Sequence, residues 1–240
     1  MEIVVLIIGF IICYFVAALV HELGHVVCGL LHRWKLYMLV VGPVKVYRET
    51  LDSKIKVGIE KNITLWGGAG GTFPTKKSKE NVGIWGRVLL AGPLTSIVFG
   101  LAMIPFFVFT KNIFVLMLVL MPLAMGLMCL IPTKLKTGIL YVDGMRYKRI
   151  KSGGQEAREE KAIFELTEID MIDGENSFYP AEAIKPLLDS KDNEFKYIGY
   201  YCSYKNAEKN GNAKEAKEWV QNMKGIRNKV PKTIVDSYKV

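Results

Sequence analysis

A zinc-hydrolase motif, HExxH, occupies residues 21–25 of this 240-residue chain, where the sequence reads HELGH. On a helix, His21 and His25 differ by about 40° in direction and about 6 Å along the axis, so both imidazoles can bind one metal ion. Glu22 points to one side of this pair, where a carboxylate can accept a proton from zinc-bound water without being a ligand. The spacing therefore predicts a zinc site with the chemistry of a metal-assisted peptidase.

The motif lies inside an apolar stretch that covers residues 3–31. In a soluble protein the same string can arise by chance or as two surface histidines, and the motif alone leaves that interpretation open. In a membrane helix, however, an acidic residue at the centre costs about 2.5 to 3.5 kcal/mol. Glu22 within such a stretch therefore indicates a partner or a function.

Three apolar stretches are long enough to cross a bilayer, which requires about 20 residues. They cover residues 3–31, 82–110 and 112–132. The first lacks the basic start and the cleavage site of a signal peptide. Because half of the residues are hydrophobic, the composition favours a small membrane domain with a modest soluble one over a single soluble globule.

Lysine and arginine are unevenly distributed around these stretches. They are abundant in residues 33–79 and 134–151, whereas the turn between the second and third stretches has only Lys111. The positive-inside rule then predicts an external N-terminus and a cytoplasmic C-terminus in the cell membrane. The net charge of +9 fits basic residues that lie beside the anionic lipid headgroups of the bilayer, and no nucleic-acid partner is expected.

A catalytic zinc usually has three protein ligands and a water, so a third ligand is needed. Cys28 and His32 are poor candidates, because Cys28 is about 10 Å along the helix from His21 and His32 about 10 Å beyond His25. The better candidate is Asp143, in the segment VDGMR. An Asp-Gly pair is also an ordinary turn or helix-cap signal, and that alternative stays open.

With these motifs the sequence resembles the site-2 protease family of intramembrane zinc metalloproteases. In that family, an aspartate from an Asp-Gly motif joins the HExxH helix and follows an Asn-x-x-Pro element on a later membrane segment. The resemblance covers about residues 1–150. It implies that His21, His25 and Asp143 are the zinc ligands and that Glu22 is the general base.

The resemblance extends to the second and third stretches with two departures. AGPL at residues 91–94 resembles the family's Gly-Pro helix entry. Where the family often has an asparagine three residues after this proline, the chain has Ser96, and Cys129 stands at the asparagine of the Asn-x-x-Pro element. Those asparagines help to position substrate in the family, so the resemblance implies substrate-binding roles for Ser96 and Cys129.

Between the first two stretches, the segments 36–47 and 54–65 are rich in Val, Ile and Tyr and predict a β-hairpin with a turn near residues 49–53. The glycine-rich segment 66–74 predicts no regular structure. One interpretation is a flexible linker at the membrane surface. The other is an exposed strand edge that holds an extended substrate by backbone pairing, and the resemblance implies a small sheet near the active site.

From about residue 151 the chain is polar and has no further span. The segments 193–209 and 212–223 predict two amphipathic helices joined by Gly211. The acidic residues between 156 and 170 predict a solvated helix face. An ordinary helical domain and a docking surface for a cytoplasmic regulatory partner both fit this pattern.

The sequence thus predicts a polytopic α-helical membrane protein. A three-span metalloprotease core with a small β-hairpin insertion occupies residues 1–150, and a helical cytoplasmic domain occupies 151–240. The expected function is intramembrane zinc endopeptidase activity on a membrane-embedded protein or membrane-anchored peptide, by a zinc-activated water with Glu22 as general base. A catalytically silent scaffold or binding protein of the same fold, and a transporter component with a zinc site, remain as alternatives.

Overall fold

The computed structural model describes residues 2–133, 136–137 and 140–238. The chain forms two compact units, one of Met1–Thr133 with Val142–Tyr147 and the other of Lys134–Tyr141 with Lys148–Val240. We call them the membrane unit and the C-terminal unit. The division falls within one helix, a few residues before the domain limit that the sequence predicts at residue 150.

Among the described residues, three helices of the membrane unit are long and apolar enough to span a bilayer, and they lie at the three predicted positions. Helix α1 covers Glu2–Leu31. The second span is α2, Asn81–Ala102, continued after Met103 by α3, Ile104–Thr110. The third is α4, Ile113–Leu130.

Small residues set the packing distances between these helices. A Cβ atom added to Gly24 of α1 would lie 2.6 Å from the Ala91 carbonyl oxygen of α2. A Cβ atom on Gly126 of α4 would lie 2.6 Å from the Pro93 carbonyl oxygen, also on α2. Both distances are too short for a real side chain, so glycine allows the helix backbones to approach closely, as is typical of packing in membranes.

A four-stranded antiparallel sheet follows α1. Its strands are β1 Lys35–Val41, β2 Val44–Tyr47, β3 Lys56–Ile59 and β4 Ala69–Phe73. Their order in the sheet is β3-β2-β1-β4. The turn near residues 49–53 is confirmed, because it joins β2 to β3. The first predicted strand is instead two strands, since Gly42 adopts a positive φ of 56° and turns the chain there.

Strand β4 lies in the glycine-rich segment for which no regular structure was expected. It pairs with β1 and packs on α1, where Thr72 is so close to Gly29 that an added Cβ atom would overlap its side chain. At the other end of the sheet, the Phe15 ring would be 3.1 Å from a Cβ atom on Gly42. Because Phe15 is halfway along α1, the sheet runs beside the C-terminal half of that helix. The interpretation of the segment as a flexible surface linker is therefore wrong.

The C-terminal unit is helical around an apolar core. The core includes Leu187, Phe195, Cys202 and Ile234. Short strands β5, Lys136–Thr137, and β6, Leu140–Tyr141, precede α5, Asp143–Ser152. The helices that follow are α6 Gly154–Asp173, α7 Ala181–Leu188, α8 Asn193–Lys209, α9 Ala213–Ile226 and α10 Lys232–Ser237, so α8 and α9 occupy the two segments predicted as helices.

The prediction of a solvated acidic face on α6 holds for Glu156 and Glu165, which are exposed, but is wrong for Glu159, Glu160 and Glu168, which are buried. Glu159 and Glu160 are buried, and their carboxylates bind the guanidinium of Arg149 at 2.7 Å and 3.2 Å. The same guanidinium carbon lies 4.9 Å from the ring centre of Tyr141 and 5.1 Å from that of Phe195. Burial of these carboxylates is possible because a paired cation is buried with them.

Candidate metal centre

The two histidines of the motif lie one turn apart on α1, as their spacing predicts. Both are buried, with only 5% of His21 and 8% of His25 exposed, and their ring centres are 5.0 Å apart. In an apolar helix, a pair of buried imidazoles needs polar partners. Helices α2 and α5 supply these partners.

Asp143, the first residue of α5, completes a cluster of three potential metal ligands with the histidines. Its Oδ2 atom lies 3.3 Å from Nε2 of His21 and 3.5 Å from Nε2 of His25. Around a tetrahedral zinc with bonds of 2.0–2.1 Å, neighbouring ligand atoms are about 3.3 Å apart. The spacing and the donor set, two imidazole nitrogens and a carboxylate, therefore fit zinc.

Gly144 explains why a glycine follows this aspartate. A Cβ atom at residue 144 would overlap the carbonyl oxygen of Leu130, the last residue of α4. Glycine thus lets the start of α5 pack directly on the end of α4, which brings Asp143 to α1. Burial alone would raise the pKa of the Asp143 carboxyl, but hydrogen bonds with His21 and His25 hold this pKa below its usual value. The carboxyl is therefore ionised, the form that binds a metal.

The other ring nitrogen of each histidine is held by α2. Nδ1 of His25 lies 2.7 Å from the Val88 carbonyl oxygen, and Nδ1 of His21 lies 3.1 Å from Oγ of Ser96. Because a carbonyl can only accept, Nδ1 of His25 carries a proton and donates it, which leaves the Nε2 lone pair for a metal. This is the usual arrangement of metal-binding histidines. Gly92 leaves room for it, since a Cβ atom there would overlap the His25 ring.

The Glu22 carboxylate lies beside strand β4 rather than among the three ligands. The Gly70 N–H donates a hydrogen bond to it. Cβ atoms added at Gly68 and Gly70 would lie 2.8 Å from its Oε1 and Oε2 atoms respectively. Gly68, just before β4, and Gly70, within it, therefore leave room for a carboxylate that lies outside the ligand cluster, an arrangement that suits a general base.

The remaining candidates occupy different places. Ser96 is fully buried and contacts His21, and Cys129 is half-buried in the last turn of α4. The His32 ring donates to the Cys28 carbonyl and receives a hydrogen bond from Arg87, and neither Cys28 nor His32 belongs to the three-residue cluster. Substrate-binding roles for Ser96 and Cys129 stay predictions.

Sequence reasoning missed the groups that α2 and β4 contribute through their backbones. The Val88 carbonyl and the Gly70 N–H have no side-chain signature. The sequence did contain one signal of these contacts. Val88, Gly92 and Ser96 are spaced four residues apart and so share one face of α2, and the two histidines that this face contacts have the same spacing on α1.

A family model described as Peptidase family M50 matches residues 9–237, nearly the whole chain. Comparisons with curated proteins and with solved structures found no match.

Proposed function

Because the chain belongs to peptidase family M50, the site-2 protease family, we propose that it is a zinc endopeptidase that cuts a peptide bond within or near a transmembrane segment or a membrane-anchored peptide. The observation that carries this proposal is the cluster of His21, His25 and Asp143, two of whose members lie on α1, the first of three apolar helices. The bilayer and a membrane-embedded protein or peptide are its expected partners. A cytoplasmic regulatory partner that docks on residues 151–240 is a second expected partner.

A zinc ion held by His21, His25 and Asp143 would polarise the scissile carbonyl and activate a water molecule for attack. Glu22 takes the proton from this water and later delivers it to the leaving amine. The hydrogen bond from Gly70 fixes the direction of the carboxylate. Since Glu22 is outside the ligand cluster, it can change its protonation state without releasing the metal.

Strand β4 is suited to hold the substrate. It is an outer strand of the sheet, with β1 as its neighbour on one side. Because the Gly70 N–H donates to Glu22, the backbone of β4 lies directly beside the base. A peptide that pairs with β4 as an additional strand would be extended, as hydrolysis requires, and its backbone would lie next to Glu22.

The test uses Glu22→Gln, which preserves size and polarity but removes the base. The purified variant is expected to bind one zinc like the wild type, while its cleavage of single-span substrates falls at least about a hundredfold. Unchanged cleavage by Glu22→Gln would contradict the mechanism. A wild-type protein that binds zinc but cleaves nothing, with every cellular effect retained in Glu22→Gln, would favour the scaffold or transporter alternative.

The proposed orientation has its own test. A reporter fused after Ser152 is expected to be cytoplasmic and one inserted near Lys111 external. The reason is that lysine and arginine are concentrated in residues 33–79 and 134–151, which the positive-inside rule places in the cytoplasm. The reverse labelling pattern would contradict the orientation without affecting the metal site.

A further inference from the structure

Each of the two histidines on α1 is hydrogen-bonded to its own partner on α2. His21 and His25 are four residues apart, and Ser96 and Val88 are eight apart on one face of α2 with Gly92 between them. The order is reversed, with residue 21 bonded to 96 and residue 25 to 88, so the facing stretches of the two helices run in opposite directions. Each histidine therefore has its own partner on α2.

We propose that Ser96 is a positioning residue for His21, holding its Nδ1 so that its Nε2 faces the metal; this inference rests on the zinc site of the proposed function. The Oγ of Ser96 is 3.1 Å from Nδ1 of His21, and the serine side chain has no exposed surface. A serine hydroxyl both donates and accepts, so its oxygen accepts a hydrogen bond from Nδ1–H of His21 when Nε2 binds a metal. Any effect of Ser96 on the reaction then passes through His21.

The two hydrogen bonds differ in whether a substitution can remove them. The partner of His25 is a backbone carbonyl, which no side-chain substitution removes. The partner of His21 is a side chain, so Ser96→Ala deletes one hydrogen bond and leaves Nδ1 of His21 buried without it. Loss of such a hydrogen bond behind a metal-binding histidine typically lowers metal affinity 10- to 100-fold.

A role in substrate binding, which the family resemblance implies for this position, predicts a different result. If Ser96 acts on the substrate, Ser96→Ala should raise KM and leave zinc affinity unchanged. If Ser96 positions His21, zinc affinity should fall in the absence of any substrate. Zinc affinity thus separates the two roles without reference to proteolysis.

The experiment titrates the purified, zinc-depleted full-length protein in detergent with zinc buffered by a competing chelator. Ser96→Ala is expected to bind zinc about 10- to 100-fold more weakly than the wild type. Ser96→Thr keeps the hydroxyl and is expected to restore most of the affinity. Ser203→Ala is the matched control, because it removes another buried serine hydroxyl, bonded to the Gly199 carbonyl in the C-terminal unit.

Cobalt substitution supplies a second readout. The absorption bands of bound Co²⁺ depend on ligand geometry, so Ser96→Ala should change them and Ser203→Ala should not. Wild-type zinc affinity and an unchanged cobalt spectrum in Ser96→Ala would overturn the positioning role alone. An equal loss of affinity in Ser203→Ala would overturn it as well, since the effect would then be general destabilisation. Absence of zinc binding by the wild type would overturn the proposed function first.

Discussion

The two units of the molecule place their large apolar side chains differently. In the membrane unit, large apolar side chains are exposed along the three spans, while His21, His25 and Ser96 are buried. In the C-terminal unit, Leu187 and Phe195 are fully buried in an apolar core. A polar residue buried among membrane helices gains nothing from the hydrophobic effect, so its presence indicates a function. The buried apolar side chains of the C-terminal unit, in contrast, stabilise its fold.

Buried polar groups also occur in the C-terminal unit, among them a charged cluster around Arg149. Arg149 is only 3% exposed and binds the buried carboxylates of Glu159 and Glu160. A buried ion pair of this kind is costly to break, because the remaining charge has no compensation. The comparison therefore predicts that loss of buried polar groups removes activity in the membrane unit but stability in the C-terminal unit.

The largest effect is expected from the metal ligands. His25→Ala should lose stoichiometric zinc and all cleavage, and Asp143→Ala should weaken zinc binding strongly, because two ligands and a water hold the ion poorly. Metal analysis of the purified variants measures this. His32→Ala is the control, since His32 lies outside the cluster. Full zinc content and wild-type cleavage in Asp143→Asn would remove Asp143 from the site.

The second effect concerns the buried ion pair. Arg149→Leu leaves two buried carboxylates without their cation and should destabilise the protein by about 3–5 kcal/mol. Arg158→Leu is the matched control, because Arg158 is exposed and bonds only to Gln155 among the contacts described. Its effect should stay within about 0.5 kcal/mol. Similar thermal stabilities for the two variants would contradict the structural role of Arg149.

The third effect tests the strand beside the base. Gly70→Ala adds a Cβ atom 2.8 Å from Oε2 of Glu22, so the carboxylate must move. Cleavage should fall about tenfold or more while zinc stays bound, because general-base catalysis depends on the position of the carboxylate. Gly71→Ala is the control, since its Cβ atom meets only the Phe73 ring at an ordinary 3.6 Å. Equal activities would show that β4 does not position Glu22.

Local sequence patterns account for what could be predicted. The apolar spans and the HExxH spacing are properties of single helices, and the Asp143-Gly144 pair gained meaning because two histidines needed a third ligand. Strand β4 was missed because its ordering depends on partners far away in the chain, β1 and Glu22. The burial of Glu159 was missed because its cation, Arg149, lies on the preceding helix.

The smallest effect concerns two carboxyls whose pKa values are shifted in opposite directions. In the sheet of the membrane unit, the Asn62 N–H donates to Glu60 at 2.8 Å and Lys45 pairs with Glu60 at 3.2 Å, and these contacts lower the pKa of the Glu60 carboxyl. In the C-terminal unit, burial raises the pKa of the Asp170 carboxyl although the Tyr179 hydroxyl donates to it at 2.5 Å. The contributions of these two carboxyls to stability should therefore change with pH in opposite directions.

The sign follows from proton linkage. A carboxyl whose pKa is lowered by folding stabilises the protein above its ordinary pKa, and this contribution is lost as pH falls. For Asp170, whose pKa is raised, the contribution is complete below the ordinary value and is lost as pH rises through the raised one. Glu60→Gln should thus reduce stability at about pH 7 more than at about pH 4, whereas Asp170→Asn should increase stability most at the higher pH. Thermal unfolding of the purified variants between these pH values measures both, and the same direction of change in the two variants would contradict the contrast.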